Sequence, residues 1–288
     1  MDNRPLRTFI HILDDDSLLN VFYLCRPVLS DEEDLNLNFR NLNFCSADKG
    51  GNGVHERWWY RLVQVCRRWR SLILASASHL ALSLHCTYGT PVADMLAHSP
   101  SLPLIIDYVG RDRDITAEEE EGMKLALQLH HRVCRIRLQM PLARLQKVIV
   151  AVDQLFPMLE CLYIQLPRRH SSGLILPNTF QAPRLRHVIL HNFAFTTGLP
   201  SLTTIVGLVT LSLVEVHGST YFLPNDLLQQ LSLFPQLETL EIDFHFPVPN
   251  RDIEGQLLHR PIITHLTLPN LRRLTLGGAT AYSEALLP

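Results

Sequence analysis

The chain has 288 residues, of which 47% are hydrophobic and 19% charged, and its formal net charge at pH 7 is −2. This composition is that of a folded globular protein and excludes a largely disordered chain. The near-neutral charge provides no overall attraction to nucleic acid or to an anionic membrane surface. At this length the chain can form one large domain, or a small domain followed by a larger one.

The cysteines and the N-terminus indicate a cellular compartment. Six cysteines are scattered without a C-x-x-C pair: Cys25, Cys45, Cys66, Cys86, Cys134 and Cys161. This pattern fits reduced intracellular thiols better than a disulfide framework or a zinc site. The N-terminus lacks a signal-peptide core, and no apolar run approaches about 18 residues. We therefore expect a soluble intracellular protein of the cytoplasm, the nucleus or both.

The first predicted helix lies within residues 8–24. Three aspartates, at positions 14–16, suit a helix N-terminus, where carboxylates meet unpaired backbone amides. Apolar residues then recur at helical spacing: Leu18, Leu19, Val21, Phe22 and Cys25. Residues 28–56 combine glycines, asparagines and an acidic cluster, which predicts a disordered insertion.

A second helical pattern starts at Trp58 and continues to about Leu74. Its apolar residues form a stripe, which predicts one continuous amphipathic helix: Leu62, Val65, Cys66, Trp69 and Leu72. Arginines crowd the remaining surface: Arg57, Arg61, Arg67, Arg68 and Arg70. They form either a solvated basic face or a phosphate-binding surface for nucleic acid. The slightly negative total charge and the lack of a recognition motif favour the solvated face.

Beyond Ala75, short apolar segments alternate with turn signals. We predict strands at 80–84 and 102–107, with a short helix over 92–98 between them. Thr116 and Glu119 form a capping-box pattern, which predicts a helix from there to about His131. The glutamates at 118–121 favour a solvated face that matches the helix dipole over a catalytic cluster.

The second half of the chain contains six copies of one L-x-x-L-x-L pattern. The copies begin at Val133, Leu159, Leu185, Leu208, Leu237 and Leu271, in steps of 26, 26, 23, 29 and 34 residues, usually with a proline two positions ahead. Such periods with this core are typical of leucine-rich repeats. In a strand, the leucines of L-x-L point to one side, so stacked strands form a parallel sheet with a leucine core. Helices predicted at 142–156 and 225–234 would cover that core, and an ordinary α/β domain with leucine-rich strands is the alternative.

The same register predicts a surface that faces away from the leucine core. The outward residues that we expect to contact a protein partner are Arg135, Arg137, Tyr163, His187, His191, Glu241, Asp243 and Arg273. Charge along this face changes from basic at Arg135 to acidic near Glu241, which would suit a partner with complementary charge order. An unspecialised soluble surface is the alternative.

No motif predicts catalysis or metal binding. The chain has no G-x-S-x-G, H-E-x-x-H, Walker loop or G-x-G-x-x-G. Its fourteen histidines invite a zinc hypothesis, but His187 and His191 on one strand would lie ~13 Å apart at ~3.3 Å per residue. A zinc ligand lies about 2 Å from the ion. We therefore predict no metal, no cofactor and no enzyme activity, with a dispersed-site enzyme as an alternative.

Two segments of the first part together resemble an F-box. They are Leu13-Asp14-Asp15-Asp16-Ser17-Leu18-Leu19-Asn20-Val21-Phe22 and Leu62-Val63-Gln64-Val65-Cys66-Arg67-Arg68-Trp69. The family motif opens with Leu-Pro, an acidic pair and a Leu-Leu-x-x-Ile-Phe helix, and it closes on Val-Cys-Lys/Arg-x-Trp. Asp14 stands at the usual proline, and the insertion lengthens the middle. With degenerate leucine-rich repeats behind it, the chain resembles the F-box proteins expanded in mushroom-forming fungi.

The resemblance implies a small all-α F-box domain at 6–74, with the insertion at about 28–56, and an irregular α/β leucine-rich-repeat solenoid at 79–288. It implies a non-catalytic substrate receptor of a cullin-RING ubiquitin ligase, in which the F-box docks a Skp-type adaptor and the repeats capture a protein substrate. The alternative is an interaction scaffold without a ligase role. No polar cap is visible after the last repeat, which indicates a chain truncated at its C-terminus.

The resemblance also implies an adaptor-binding set. Carried over by position, its members are Leu13, Leu18, Leu19, Val21, Phe22, Val65, Cys66 and Trp69. Some of them would form the core of the F-box domain itself, and the sequence does not divide the two groups.

Overall fold

The computed structural model describes residues 13–26, 58–109, 114–166, 177, 180–193, 205–216, 224–244 and 266–278. The chain divides into two compact units, Met1–His85 and Cys86–Pro288. The predicted insertion at 28–56 lies outside the described residues. None of the helices in the described residues is long and apolar enough to span a bilayer.

The first unit is the helical unit, and the second is the sheet unit. The helical unit contains helices α1 (Asp15–Leu24), α2 (Trp58–Leu62) and α3 (Arg67–Ala75). The aspartate run starts α1, as predicted, because Asp14 adopts an extended conformation and accepts a 2.7 Å hydrogen bond from the Ser17 amide. This bond satisfies an amide that has no partner within the helix. The other two aspartates occupy the first turn, where the positive end of the helix dipole stabilises them.

The predicted continuous helix from Trp58 to Leu74 is wrong. The chain leaves helical geometry at Val63 and re-enters it after Cys66, which is extended at φ −159° and ψ 170°. The break includes the β-branched Val63 and Val65, which lose side-chain freedom in a helix. Arg70 stabilises the break, since its Nε donates to the Val63 carbonyl at 3.0 Å. That carbonyl, beyond the end of α2, has no partner within the helix.

The remaining strands and helices follow in chain order. They are β1 (Leu84–Thr87), α4 (Val92–His98), β2 (Leu104–Tyr108), α5 (Ala117–Gln128), β3 (Val133–Gln139), α6 (Leu142–Ile149), a 3₁₀ turn (Val150–Val152), β4 (Cys161–Gln165), β5 (His187–His191), β6 (Thr210–Val216), α7 (Pro224–Leu231), β7 (Thr239–Phe244) and β8 (Arg273–Gly277). Within the described residues, all eight strands form one parallel sheet, and each strand lies beside the next in the chain. The predicted mixed α/β class with a parallel sheet is confirmed.

The predicted strand at 80–84 is wrong, because the chain turns there and β1 begins at Leu84. Ala81 has a positive φ of 49°, which a strand does not allow. The Leu82 amide donates to the Ala77 carbonyl at 2.9 Å, as in a turn after a helix. Leu80 and Leu82 are nevertheless buried in this turn.

The capping box at the start of α5 is confirmed in both directions. The Glu119 amide donates to Thr116 Oγ1 at 3.2 Å, and the Thr116 amide donates to Glu119 Oε2 at 2.9 Å. The expectation of a solvated acidic face is wrong at Glu119, whose side chain is buried. Its Oε1 accepts a further 2.8 Å bond from the Gly89 amide. Glu119 therefore joins the start of α5 to the turn after β1.

The proline in four copies of the repeat belongs to a tight turn before the strand. The first leucine of the copy donates its amide to the carbonyl three residues earlier, at 3.0–3.3 Å: Leu159 to Phe156, Leu185 to Ala182, Leu237 to Phe234 and Leu271 to Leu268. The proline is therefore the second residue of the turn, where its restricted φ is favourable.

The leucine positions of the repeats form continuous buried rows. In the four copies from Leu159 to Leu237, the first, fourth and sixth residues are all buried: Leu159, Leu162, Ile164, Leu185, Val188, Leu190, Leu208, Leu211, Leu213, Leu237, Leu240 and Ile242. Neighbouring strands pair like with like, so Leu162 lies beside Val188 and Val188 beside Leu211. The last copy differs, because Leu274 is 43% exposed. The predicted leucine core is confirmed for the central copies.

Candidate functional site

Three of the eight predicted adaptor-binding residues form the core of the helical unit. The rings of Phe22 and Trp69 meet edge to face, with centroids 4.8 Å apart. Leu18 and Phe22 are fully buried on one side of α1, and Trp69 is 9% exposed. These side chains therefore hold α1 against α3.

The other five predicted adaptor-binding residues reach the surface. Leu13, Val21 and Val65 are 37%, 40% and 58% exposed, whereas Leu19 and Cys66 are half-buried. Two exposed residues were missed, namely Tyr23 and the 81% exposed Leu24. The available signal was that α1 is apolar on more than one face, which a helix with a single packing partner does not need.

Two of the five clustered arginines, Arg68 and Arg70, have local partners. Arg68 donates to Asp15 Oδ1 from Nε and Nη2, at 3.1 and 2.7 Å, and to the Leu13 carbonyl at 2.6 Å. It therefore holds the start of α1 beside α3. Exposed ion pairs add little stability, so the main effect of Arg68 is to position the start of α1 relative to α3. With Arg70 at the break after α2, two members of the basic cluster stabilise the local fold.

The helical unit also carries an open groove of about 540 Å³. Five of its seven lining residues have polar side chains: Asp16, Leu19, Asn20, Ala75, Ser76, Ser78 and His79 line the groove. Tyr23 extends this surface, because its ring lies 5.9 Å from the ring of His79. The groove adjoins Leu19, one of the predicted adaptor-binding residues.

The second candidate surface is the face of the sheet opposite the leucine core. Strand pairing places its residues in rows. One row contains Arg135, Cys161, His187, Thr210, Thr239 and Arg273. The next contains Arg137, Tyr163, Ile189, Ser212, Glu241 and Thr275. The predicted outward positions therefore occupy equivalent places on neighbouring strands.

The middle of this face is buried, which the sequence did not predict. Tyr163 is 2% exposed, Ile189 and Ser212 are fully buried, and His191 is 7% exposed. Parallel sheets are commonly buried on both faces, so alternation alone does not identify a free surface. Of the predicted partner-binding residues, Arg273 is exposed. The half-buried ones are Arg135, Arg137, His187, Glu241 and Asp243.

The charges in the second row are compensated by neighbouring strands. Arg137 forms a 2.8 Å ion pair with Asp107 of β2, and its guanidinium lies 5.9 Å from the centre of the Tyr163 ring. At the acidic end, Ser212 Oγ donates to Glu241 Oε2 at 2.8 Å. Asp107 is not among the predicted surface residues, because β2 precedes the six recognised repeats. The predicted change from basic to acidic is therefore weaker than the sequence suggests.

The first row contains a cysteine, an arginine and a histidine on three neighbouring strands. Cys161 lies between Arg135 and His187 on the neighbouring strands. His187 Nδ1 is 3.1 Å from Thr210 Oγ1. Burial, followed by the charges of Arg186 and Arg135, lowers the pKa of His187, so its ring is neutral at pH 7.

The comparisons with known proteins give no family. No protein-family model matches the chain, and no curated protein matches it. Among the described residues, no group of three or more His, Cys, Asp or Glu side chains is placed to hold a metal ion. The function must therefore be argued from the two surfaces themselves.

Proposed function

We propose that this chain is a non-catalytic substrate receptor of a cullin-RING ubiquitin ligase, acting in the cytoplasm or nucleus. In this proposal the helical unit is an F-box that docks a Skp-type adaptor, and the sheet unit is a leucine-rich-repeat solenoid that captures a protein substrate. The observation that carries the proposal is that the described part of the helical unit exposes apolar side chains next to a buried core of its own.

The geometry of α1 supports the docking role. Leu18 and Phe22 are four residues apart and share the buried face, whereas Val21 and Leu24 are three apart and share an exposed one. The first pair suffices to pack α1 on α3, so the second pair has no role within the described part of the unit. Exposed apolar surface of this kind marks interaction sites on soluble domains. We therefore narrow the adaptor-binding set to Leu13, Leu19, Val21, Val65 and Cys66, and we add Leu24.

The sheet supports the solenoid part of the proposal. Strands that pair in chain order, four of them preceded by the same tight turn, are expected of stacked repeats that contact only their neighbours. The ladder bonds repeat too, since the Glu160, Arg186, Val209 and Glu238 carbonyls each accept two consecutive amides of the next strand. For the substrate surface we retain the predicted residues that are exposed or half-buried, without Arg137, which is paired with Asp107: Arg135, His187, Glu241, Asp243 and Arg273.

Adaptor binding tests the proposal directly. The 288-residue chain is mixed with a recombinant Skp-type adaptor, and complex formation is measured by calorimetry. We expect Val21→Glu and Val65→Glu to abolish binding, because each places a charge in an apolar interface. Val150→Glu is the matched control, since Val150 is a 72% exposed valine of the sheet unit.

Tryptophan fluorescence provides the folding control for these variants. All three tryptophans, Trp58, Trp59 and Trp69, belong to the helical unit. A variant that loses binding should keep the thermal midpoint of the wild-type fluorescence. The proposal is contradicted if the wild type does not bind the adaptor, or if both glutamate variants bind as the wild type does.

The burial of Leu18, Phe22 and Trp69 favours one alternative, an interaction scaffold whose F-box-like pattern encodes only a structural core. The same measurement separates the two proposals. A scaffold would not bind the adaptor, yet Phe22→Ala would still lower the thermal midpoint of the helical unit.

A further inference from the structure

We propose that the turn rim of the sheet unit binds an extended, acidic segment of a protein partner. The turn rim consists of the four segments that lead from the turns into strands β5 to β8, namely residues 183–187, 206–210, 235–239 and 269–273. The inference deepens the substrate-capture half of the proposed function and rests on it, because it names the class of substrate that the solenoid would take.

Backbone hydrogen bonds align the four segments side by side. The carbonyls of Arg186, Val209 and Glu238 each accept two consecutive amides of the next segment, at 2.8–3.0 Å. Neighbouring strands lie about 4.8 Å apart, so the first and last segments are separated by about 14 Å. The turn rim is therefore a continuous ridge at the start of the strands.

The turn rim is positively charged, although the formal net charge of the chain is −2. Besides the half-buried His187, its ionisable residues are four arginines and one glutamate: Arg184, Arg186, Arg272, Arg273 and Glu238. All four arginines are exposed, and Arg272 lies 3.4 Å from Glu238. The other three arginines form no ion pair within the described residues, so they are available to the carboxylates of a partner.

The field of these arginines extends to the outward face of the sheet. Burial, followed by the charges of Arg186 and Arg135, lowers the pKa of His187, and Glu238 has the opposite effect. The segment that leads into β4 carries the exposed Glu160 and no cation. An acidic partner is therefore favoured from β5 onward and disfavoured at β4.

The middle of the turn rim exposes apolar groups. Val206 occupies the position of the turn proline and is 67% exposed, and Pro183 and Pro235 on either side of it are exposed. A Cβ added to Gly207 would meet no described atom within 4 Å, so a partner can approach the rim closely there. Nucleic acid has phosphates for the arginines but no apolar side chain for Val206, and the turn rim has no Phe, Tyr or Trp ring for base stacking. This combination favours a protein segment.

The spacing defines the pattern of the bound segment. An extended chain advances about 3.3 Å per residue, so it covers the distance of about 14 Å in about four residues. Its residues i, i+2 and i+4 lie on the same side. We therefore expect a segment of the form acidic–x–apolar–x–acidic, whose carboxylates pair with Arg186 and Arg273 and whose apolar side chain packs on Val206.

The test is fluorescence anisotropy of a labelled peptide, Gly-Ser-Glu-Thr-Leu-Thr-Glu-Ser-Gly, titrated with the native 288-residue chain. We expect saturable binding, and a dissociation constant roughly tenfold higher for the peptide in which glutamine replaces both glutamates. Raising the ionic strength from about 0.1 M to about 1 M should weaken binding, since the Debye length falls from about 10 Å to about 3 Å.

Substitutions in the turn rim locate the site. Arg186→Glu and Arg273→Glu should each raise the dissociation constant roughly tenfold. Arg67→Glu makes the same charge change at an exposed arginine of the helical unit and should leave the dissociation constant unchanged. Gly207→Glu should weaken binding as strongly as the arginine variants, because it fills the open approach with a carboxylate, whereas Gly207→Ala should retain binding.

Circular dichroism checks that each variant keeps the thermal midpoint of the wild type. If an arginine variant does not, the comparison depends on Gly207→Glu, since Gly207 has no positive φ and its new side chain enters open space. Equal affinities for the acidic and the glutamine peptide, or unchanged binding by Arg186→Glu and Gly207→Glu, would overturn the inference. Tighter binding of a labelled oligouridine, lost in the same variants, would also overturn it, because the rim would then be a phosphate-binding surface.

Adaptor binding is measured separately, which keeps the two proposals distinguishable. A chain that binds the adaptor but not the acidic peptide contradicts only the inference about the turn rim. A chain that binds the peptide but not the adaptor contradicts only the ligase role.

Discussion

The helical unit and the sheet are stabilised in different ways. In the helical unit, the contact between α1 and α3 depends on Leu18, on the ring pair of Phe22 and Trp69, and on Arg68, which reaches the start of α1. In the sheet, the same three leucine-type positions are buried in each of four consecutive copies, and equivalent ladder bonds join them. One core is therefore concentrated in a few side chains, and the other is distributed along the stack.

This difference bears on how each unit can use its surface. A concentrated core leaves other faces of a short helix available for a partner, but it tolerates no loss of a central side chain. A distributed core limits a local defect to neighbouring repeats, because stability in stacked repeats is close to a sum of local contributions. The following substitutions test this contrast.

Phe22→Ala should have the largest effect. Removing a fully buried ring that contacts Trp69 should cost about 3–5 kcal/mol in the free energy of unfolding of the helical unit. Denaturant titration monitored by tryptophan fluorescence measures this cost. Tyr23→Ala is the adjacent control, since Tyr23 is 49% exposed and should cost well under half as much. Equal costs for the two variants would refute a concentrated core.

Leu211→Ala and Leu274→Ala make the same chemical change at equivalent positions of two repeats. Leu211 is fully buried, so its loss should cost about 2–5 kcal/mol, whereas the 43% exposed Leu274 should cost about 1 kcal/mol or less. Amide hydrogen exchange resolved by peptide is the measurement. We expect Leu211→Ala to accelerate exchange mainly in β5, β6 and β7. Uniform acceleration over the whole sheet would show that the core is not distributed.

Tyr108→Phe should be mildly stabilising. The buried Tyr108 hydroxyl has no hydrogen-bond partner in the described part of the chain, and burial raises its pKa. Removing an unsatisfied hydroxyl should raise the free energy of unfolding by about 1 kcal/mol. Tyr88→Phe should instead lower the free energy of unfolding, because the Tyr88 hydroxyl donates a hydrogen bond to the Tyr108 carbonyl at 3.4 Å. A loss of stability in Tyr108→Phe would indicate a hydrogen bond to that hydroxyl.

His187 should produce a small dependence of stability on pH. Its pKa is lowered in the folded state, so the unfolded chain binds the proton more readily. The contribution of His187 to stability is therefore complete above its unfolded pKa of about 6.5 and is lost as pH falls through its folded pKa. Denaturant titrations at pH 7.5 and 5 should show a smaller loss for His187→Gln than for the wild type. An identical loss in both would exclude this contribution.

Local sequence patterns predicted the features that depend on a few neighbouring residues. The aspartate cap of α1, the Thr116–Glu119 capping box and the leucine rows of the repeats all follow from spacing within one turn or one strand. The proline two residues before a repeat was visible as a pattern, and the structure explains it as the second residue of a turn. These features were predictable because helix caps and strand alternation are properties of contiguous backbone.

Local patterns thus sufficed to predict a mixed α/β chain with a parallel sheet, its leucine register and an apolar first helix. They did not predict that Leu18, Phe22 and Trp69 face inward while Val21, Leu24 and Val65 face outward, because burial depends on which elements pack together. Only the tertiary structure decided this, and it also decided that Tyr163 and Ile189 are buried on the outward face and that the second helical segment breaks before Cys66. The physical reason is the same in each case. Apolar residues on two faces of one element satisfy the sequence pattern equally, and distant packing partners determine which face is removed from water.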